Sequence, residues 1–390
     1  MTARTDDAVA TAGGAAAPPA EAAARADQPA LRRFRPETVR AQILAVLGAW
    51  GMPEDLAAVS ADVMVDTDLA GIDSHGISML PSYQSLVLEG RLNIGARPQV
   101  VHETATTALL DGLDGLGHPI TTEAMALAVA KARTAGLGAV AVRRSHHFGA
   151  AGYYARIASD AGMVGLVTTT TRTRAVVPTR GSTPLLGTNP IAFAAPTTDP
   201  ERPFLLDMST SSVAVNKVKV YDYLGKPLPE GWVLNGEGEP VTDPHAAHAR
   251  LRAQEEGGLT PLGGTEALSS HKGYGLGVMV QILAGALSGA LFAPEKGRKG
   301  PDDIGHFCLA IDPAAFGGAE TFPQAVSEIV DTLHAHPSTS PDRPVLVAGD
   351  PERLSREERS EHGIPLSDAL LDLLGGICAA AGADYLLEEN

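Results

Sequence analysis

Apolar side chains recur every three or four residues in the first third of the chain, which is the spacing of one helix face. After Pro36, a favourable first-turn residue, the stripe consists of Val39, Ile43, Val46 and Leu47. Further helices are predicted from Pro53 to about Leu69, up to Leu88 before Gly90, and over residues 121–135 with Gly136 at the end. The N-terminal part is therefore predicted to be mainly helical.

The pattern then changes to short apolar runs, which are typical of buried strands. Strands are predicted over residues 137–142, 163–169, 190–195, 204–208, 306–311 and 344–347, with a helix near 150–161. Residues 225–264 are rich in Gly, Pro, Glu and Asp and are predicted to form a long surface excursion. The chain closes with helices predicted over 323–336, 353–361 and 367–381.

Residues 273–293 contain no charged side chain and are long enough to cross a bilayer. Glycines and polar residues interrupt the apolar character of this stretch. A fully buried helix is therefore favoured over a membrane span.

These elements indicate a mixed α/β fold, in which a helical lobe built from both ends of the chain accompanies a central mixed-sheet domain. The predicted domains are a disordered Ala- and Pro-rich tail at 1–33, a helical lobe at 34–120 and 320–390, and a central α/β domain at 121–319. The tail lacks the apolar segment of a signal peptide.

Composition narrows the function classes. The formal net charge is −16, which argues against nucleic acid or an anionic membrane as a partner. The two cysteines, Cys308 and Cys378, imply no disulfide framework and fit a reducing cytoplasm. No metal site is predicted, because the His245/His248 and His334/His336 pairs lack a suitable cysteine or acidic partner.

The candidate chemistry is carried by histidines at two glycine-flanked turns. His75 follows Ser74 and precedes Gly76, while His146 and His147 precede Phe148-Gly149 after an apolar run. Imidazole titrates near neutral pH and is the usual side chain for moving a proton. The pattern indicates acid–base or redox chemistry on a small molecule.

Two residues outside these turns have properties that suit such a site. Asp207 leaves an apolar strand and could orient a histidine, although a helix cap is an equally ordinary role for it. Lys272 stands at a helix entrance, where a cation opposes the helix dipole, so an anionic partner is expected.

Two common motifs are missing. The dinucleotide fingerprint of the Rossmann fold is absent, since Gly273, Gly275 and Gly277 have the wrong spacing and follow no predicted strand. Ser74 lacks the GxSxG context of a hydrolase nucleophile, and adjacent side chains rarely form a nucleophile–base pair. A Ser/His hydrolase remains an alternative, as does a catalytically silent ligand-binding homologue.

Eight segments, in order, resemble the malate/L-lactate dehydrogenase family of non-Rossmann oxidoreductases. The resemblance spans roughly residues 36–385, and its specificity comes from the ordered set. The segments are DSHG (73–76), HHFGAAGYY (146–154), LGTNPIAFAAP (186–196), LDMSTS (206–211), LPEGW (228–232), LTPLGG (259–264), HKGYGL (271–276) and VLVAGDPERLSREERSEHGIPL (345–366).

The resemblance implies a non-Rossmann NAD(P)-binding domain at 121–319 and a homodimer. It also implies reversible hydride transfer between a small 2-oxo acid and a 2-hydroxy acid, or reduction of a cyclic imine, with NAD or NADP. His75 is implied as the proton donor or acceptor, with Ser74 and Asp207 as relay partners, while His147 has the acid–base role in some members.

The same resemblance implies the binding residues. Those expected to contact the coenzyme are His147, Phe148, Gly149, Ala150, Thr171, Asp207, Met208, Ser209, His271, Lys272, Gly349 and Asp350. Those expected near the substrate are Met79, Thr188, Asn189 and Arg174.

One departure affects the substrate. Many members of the family have an arginine at the position of Met79, and a thioether cannot pair with a carboxylate. Arg172, Arg174 and Arg180 form a basic cluster. We expect one of them to bind an anionic group of the substrate or of an NADP 2′-phosphate.

Overall fold

The computed structural model describes residues 31–254, 256–295 and 302–388. The α-helices are α1 (Pro36–Ala49), α2 (Glu54–Leu69), α3 (Leu80–Leu88), α4 (Gly117–Ala135), α5 (Ala151–Asp160), α6 (Val215–Tyr223), α7 (Pro244–Ala253), α8 (His271–Val280), α9 (Thr321–His334), α10 (Asp350–His362) and α11 (Asp368–Ala381). The strands are β1 (Leu31–Phe34), β2 (Gln99–Glu103), β3 (Thr107–Gly115), β4 (Leu137–Ser145), β5 (Val164–Thr169), β6 (Ile191–Ala195), β7 (Phe204–Met208), β8 (Val233–Leu234), β9 (Gly258–Leu259), β10 (Ile304–Ile311) and β11 (Ile364–Ser367).

The central element is a mixed seven-stranded sheet with the order β2-β3-β4-β10-β5-β6-β7. Its single parallel pair, β3 with β4, is joined by helix α4, and the other neighbouring pairs are antiparallel. The mixed α/β fold predicted from the sequence is confirmed.

Side chains alternate between the two faces of this sheet, as the period of a strand requires. Val140 and Cys308 belong to the core formed with α4 and α5. Ala141 and Phe307, one residue away from each, pack instead with Ala284 of the segment that follows α8. The sheet is therefore covered on both faces.

A second core lies in the helical lobe. The stripe of α1 and residues of α2, α3, β11 and α11 pack there, and β1 pairs antiparallel with β11 to join the two ends of the chain. Helix α1 begins with Pro36, and α4 ends at Gly136, whose φ of +79° suits glycine. These helix boundaries agree with the sequence pattern.

Several predictions of structure need correction. The tail predicted to end at residue 33 overlaps β1 at Leu31–Arg33, because this strand pairs with β11; residues 1–30 lie outside the described residues. Strands β2 and β3, placed in the helical lobe by the predicted boundaries, belong to the central sheet. The apolar run of β3 is interrupted by Asp and Gly, where its register with β4 shifts, and this hides the strand in the sequence.

The region 225–264 is not only a surface excursion. It contributes α7, β8 and β9 to a third core around Val233, Ala247 and Leu259. Residues 344–347, predicted as a strand, form none, since the Val347 amide donates to the Asp350 side chain at 2.8 Å instead of to a neighbouring strand.

The uncharged stretch 273–293 is also different from the prediction. It consists of α8 followed by a π-helical turn (Gln281–Ala286), and it is not fully buried. Ile282 and Leu287 are 56% and 59% exposed. Within the described ranges, no helix combines the length and apolar character needed to span a membrane.

Candidate active site

The first part of the site is the loop between α2 and α3, residues 71–77, here called the His75 loop. Gly76 packs directly on the buried carboxyl group of Asp68, where an added Cβ would lie 1.9 Å from Oδ1. Asp68 Oδ2 accepts a hydrogen bond from the Ile77 amide at 2.9 Å. Burial raises the pKa of Asp68 to about 8. Packing therefore requires glycine at position 76, directly after His75.

Helix α10 holds the same loop from the other side. Arg359 donates to the Asp68 carbonyl oxygen at 2.6 Å and forms an ion pair with Asp73. Gly71, with a φ of +81°, lies so close to α10 that an added Cβ would be 2.7 Å from Ser355 Oγ. Residues almost 300 positions apart in the sequence thus fix the loop.

Within the loop, Ser74 Oγ and His75 Nδ1 are 2.6 Å apart. The two side chains are therefore within hydrogen-bond distance, as a relay between Ser74 and His75 requires. Burial lowers the pKa of His75. With Nδ1 bonded to serine, Nε2 is the nitrogen available to a substrate.

The second part of the site follows strand β4. The His147 ring lies 5.2 Å from the His75 ring between centroids, tilted by 33°. Its Nδ1 contacts the hydroxyl of Tyr83 at 2.7 Å and the Gly149 amide at 3.3 Å. Burial, with further contributions from the surrounding histidines, places the pKa of His147 well below its usual value.

A third histidine lies behind this pair. The His118 ring makes an edge contact with Tyr83, with centroids 5.7 Å apart, and is fully buried. Neither of its ring nitrogens has a hydrogen-bond partner among the described residues, and burial lowers its pKa to about 3. We call His75, His118, His147 and Tyr83 the histidine cluster.

His146 points away from the cluster. It is buried between Asp302, 3.1 Å from Nδ1, and the Arg91 carbonyl oxygen, 2.9 Å from Nε2. Phe148 is buried against His306, with ring centroids 4.7 Å apart. Only one member of the His146-His147 pair therefore contributes to the site.

Asp207 does not act on His75 in this arrangement. Its carboxylate accepts a hydrogen bond from the Gly152 amide at 2.7 Å, at the start of α5, and among the described residues no hydrogen bond joins it to His75. Burial raises its pKa to about 6. The predicted relay from Asp207 to His75 needs correction, because the carboxylate at the end of edge strand β7 binds the first turn of α5 instead.

The predicted substrate residues have contacts within the fold. Met79 packs against the helical-lobe core. Asn189 donates to the Gly277 carbonyl oxygen of α8 at 3.0 Å, and the Thr188 carbonyl oxygen accepts from the Thr210 amide at 2.9 Å. Arg174 contacts Gln254 at 3.4 Å, next to the third core.

The neighbouring arginines of the basic cluster have protein partners too. Arg172 forms an ion pair with Asp302 at 2.9 Å, and Arg180 forms one with Glu266. Thr171, predicted near the coenzyme, donates to the Thr173 carbonyl oxygen at 3.0 Å. The expectation that an arginine of this cluster binds a ligand anion stays a prediction.

A cavity of about 350 Å³ lies between β7 and α10. Gly349, with a φ of +100°, lies against Leu205 at its wall, where an added Cβ would be 3.3 Å from the Leu205 backbone. Asp350 Oδ2 and His334 Nε2 are hydrogen-bonded at 2.6 Å. Arg353 and Arg356 also line the space. Four arginines and five carboxylates line this space together, so its wall carries both charges.

The remaining predicted coenzyme residues border these features. Ala150 directly precedes α5, Met208 ends β7, and Ser209 follows it with its hydroxyl 3.4 Å from the Ser211 carbonyl oxygen. His271 and Lys272 are exposed in the first turn of α8.

Sequence reasoning missed Tyr83, His118 and Asp68. Tyr83 stands eight residues after His75 on the next helix, and its buried hydroxyl carries no distinctive sequence signal. His118 follows three closely spaced glycines, which was a usable signal for a tight turn near a ligand. The opposite directions of His146 and His147 follow from the alternation of side chains along an extended segment.

The fold and site define a mixed-sheet α/β protein with a partly buried histidine pair, His75 in the loop between α2 and α3 and His147 after β4. The malate/L-lactate dehydrogenase family model matches residues 34–375. The chain belongs to this family, as the resemblance predicted. It is 38% identical to malate dehydrogenase of Pyrococcus horikoshii over 348 residues, which covers 88% of this chain and 94% of that one.

Two further similarities show the breadth of the family. The chain is 37% identical to malate/(S)-sulfolactate dehydrogenase of Methanothermus fervidus, covering 87% of this chain and 95% of that one. The structure of delta1-piperideine-2-carboxylate reductase from Pseudomonas syringae has a TM-score of 0.77 and 29% identity, with coverage of 89% and 99%. The chain is thus similar to oxidoreductases and shares the dehydrogenase fold, and the hydrolase alternative has no support.

Proposed function

We propose that the protein catalyses reversible oxidoreduction between a small 2-hydroxy acid and the corresponding 2-oxo acid, with NAD or NADP as coenzyme. The observation that carries this proposal is the pair of partly buried imidazoles, His75 and His147, with ring centroids 5.2 Å apart. Similarity to malate and sulfolactate dehydrogenases supports the substrate class.

The chain's own residues would act on the substrate oxygen. In the direction of reduction, negative charge builds on this oxygen, and a protonated His75 neutralises it by giving up a proton from Nε2. Ser74 remains hydrogen-bonded to Nδ1 and keeps the ring oriented in either protonation state, because Nδ1 keeps its own proton when Nε2 gives one up.

The cavity between β7 and α10 is the place that we propose for the coenzyme. Arg353 and Arg356 line it and would bind phosphate groups by exchanging their ion pairs with Glu357 and Asp66. The turn Phe148–Ala150 connects His147 to the start of α5. Lys272 supplies another cation at the start of α8. A bound nicotinamide coenzyme would supply the hydride.

Reduction of a cyclic imine that bears a carboxylate is the second candidate. The similarity to a piperideine-2-carboxylate reductase favours it. An imine nitrogen and a carbonyl oxygen both gain a proton as they are reduced, so His75 suits either substrate.

We further propose a cytoplasmic homodimer. Two free, buried cysteines fit a reducing compartment. Exposed apolar side chains recur from the last turn of α8 onward, at Met279, Ile282, Leu287 and Leu291. Clustered exposed apolar residues are typical of association surfaces.

The test is a substrate screen with both reduced coenzymes, followed by the His75→Ala variant. We expect oxidation of NADH or NADPH with a 2-oxo acid or a cyclic imine. His75→Ala should lower turnover by about 10²–10⁴ while the dissociation constant of the coenzyme stays nearly unchanged. Absence of turnover across the panel despite coenzyme binding would instead support a silent ligand-binding protein, and wild-type turnover in His75→Ala would remove His75 from the mechanism.

A further inference from the structure

The two imidazoles of the site have different hydrogen-bond environments. His147 Nδ1 is approached by two groups, the Gly149 amide at 3.3 Å and the Tyr83 hydroxyl at 2.7 Å. A backbone amide can only donate, so Nδ1 must present its lone pair. The ring proton of neutral His147 is then on Nε2.

Tyr83 reinforces this assignment. It is 1% exposed, and burial raises the pKa of its phenol, so the hydroxyl keeps its proton. A protonated phenol beside an unprotonated Nδ1 donates to it. Two donors thus converge on one ring nitrogen and exclude a proton from it.

The surroundings also oppose a positive charge on His147. Four other histidines, His75, His118, His146 and His306, disfavour its charged form, and burial is the larger effect. Among the described residues, no carboxylate contacts the His147 ring, and the nearby Asp302 carboxylate is bonded to His146. In a charged ring, the proton on Nδ1 would face the Gly149 amide and the Tyr83 hydroxyl, which both donate to this nitrogen in the neutral ring.

His75 lacks these restrictions. Its Nδ1 partner is the hydroxyl of Ser74, which accepts from Nδ1–H both in the charged ring and in the neutral ring that remains after Nε2 has lost its proton. The same contact therefore fits both protonation states, and His75 can gain and lose a proton without breaking a hydrogen bond.

We propose that His147 is a permanently neutral donor, which binds the substrate oxygen through Nε2–H, and that His75 alone transfers the proton. Tyr83 is then a positioning residue that sets the tautomer of His147. This inference rests on the proposed function. In reduction, the substrate carbon receives a hydride from a reduced nicotinamide, the π electrons of the C=O bond move to oxygen, and the proton on His75 Nε2 passes to that oxygen. The N–H bond of His147 stays intact.

The tautomer can be measured without any substrate. In protein labelled with ¹⁵N-histidine, the His147 resonances are assigned by their loss in His147→Gln. We expect the shifts of a neutral ring with hydrogen on Nε2, unchanged between pH 5 and pH 9. A proton on Nδ1, or titration within this range, would overturn the inference whatever the enzyme's activity.

Kinetics provide the second test. An amide N–H can replace a neutral donor but cannot replace an acid, so His147→Gln should retain at least about tenfold more kcat/KM than His147→Leu, whose loss should be about 10²–10³. The dependence of kcat/KM on pH should be the same in His147→Gln as in the wild type. In His75→Gln, the part of this pH dependence that reports the titration of His75 should be absent. If both His147 variants lost kcat/KM equally, and His147→Gln also lost part of the pH dependence of kcat/KM, proton transfer would be assigned to His147.

Tyr83→Phe tests the positioning role. It should lower kcat more than it raises KM and should let His147 sample the other tautomer in the ¹⁵N spectrum. Tyr385→Phe, which removes a hydroxyl with only a 3.5 Å contact to Leu371 in the helical lobe, is the matched control. An unchanged His147 spectrum in Tyr83→Phe would contradict the role of Tyr83. A wild-type protein without oxidoreductase activity would refute the proposed function and leave the tautomer result standing.

Discussion

Asp68 lies directly beneath the His75 loop, in an environment unlike that of a surface carboxylate. It is 1% exposed, its carboxyl group accepts from the Ile77 amide, and Arg359 binds its backbone carbonyl. Burial outweighs these interactions and raises its pKa to about 8. At neutral pH the group is therefore mainly a neutral hydrogen-bonding residue, whose function is to hold the loop.

This environment predicts a pH dependence of stability. Between pH 4 and pH 8 the folded protein keeps a proton on Asp68 that the unfolded chain has lost, so the free energy of unfolding falls as pH rises, by up to about 1.4 kcal/mol per pH unit. Asp68→Asn lacks this proton, and its stability relative to wild type should increase across that range. Urea denaturation at pH 5, 6, 7 and 8 measures the difference.

The matched control is Asp372→Asn, which alters an exposed carboxylate on α11. Its stability should follow the wild-type profile across the same pH values. Parallel profiles for wild type and Asp68→Asn would mean that Asp68 is ionised in the folded protein.

At the scale of elements, the His75 loop depends on contacts from α2 and α10 on its two sides. There is no room for a methyl group at Gly76, because an added Cβ would lie 1.9 Å from Asp68 Oδ1. Gly48, near the end of α1, has no heavy atom within 4 Å of its own added Cβ. The two glycines therefore have different roles.

Gly76→Ala should displace the His75 loop and lower kcat/KM at least about 10²-fold, since small misplacement of catalytic groups is costly. Gly48→Ala should leave activity unchanged and should stabilise the protein by up to about 1 kcal/mol, because alanine is favoured over glycine in a helix. Steady-state kinetics and thermal unfolding of both variants test this. Wild-type activity in Gly76→Ala would show that the loop does not need its present position.

At the scale of the whole molecule, the segment that follows α8 has two different sides. Ala284 packs against the central sheet, while Ile282 and Leu287 face outwards and are more than half exposed. A single copy of the chain leaves these side chains in water. The proposed homodimer would cover them.

Ile282→Asp should therefore weaken association. We expect a homodimer for the wild type and a larger monomer fraction for the variant, measured by sedimentation velocity over a range of concentrations. Phe316→Asp, at a residue 79% exposed elsewhere on the chain, is the control and should remain associated. A monomeric wild type would refute the proposed dimer.

The sequence alone determined most of the helices, the central strands and the family. Helix and strand periods are local properties, and the proline before α1 and the glycine after α4 act on neighbouring residues only. Ordered motifs then indicated the dehydrogenase family, which the family model confirmed.

Only the tertiary structure decided how the site is built. Tyr83 and His147 are 64 residues apart, and Asp68 and Arg359 are 291 apart. Burial sets the charge of the cluster, and burial depends on how the two lobes pack. The hydrogen bonds from Gly152 of α5 to Asp207 and between His146 and Asp302 have the same origin. A hydrogen bond between distant segments produces no periodic pattern in the sequence.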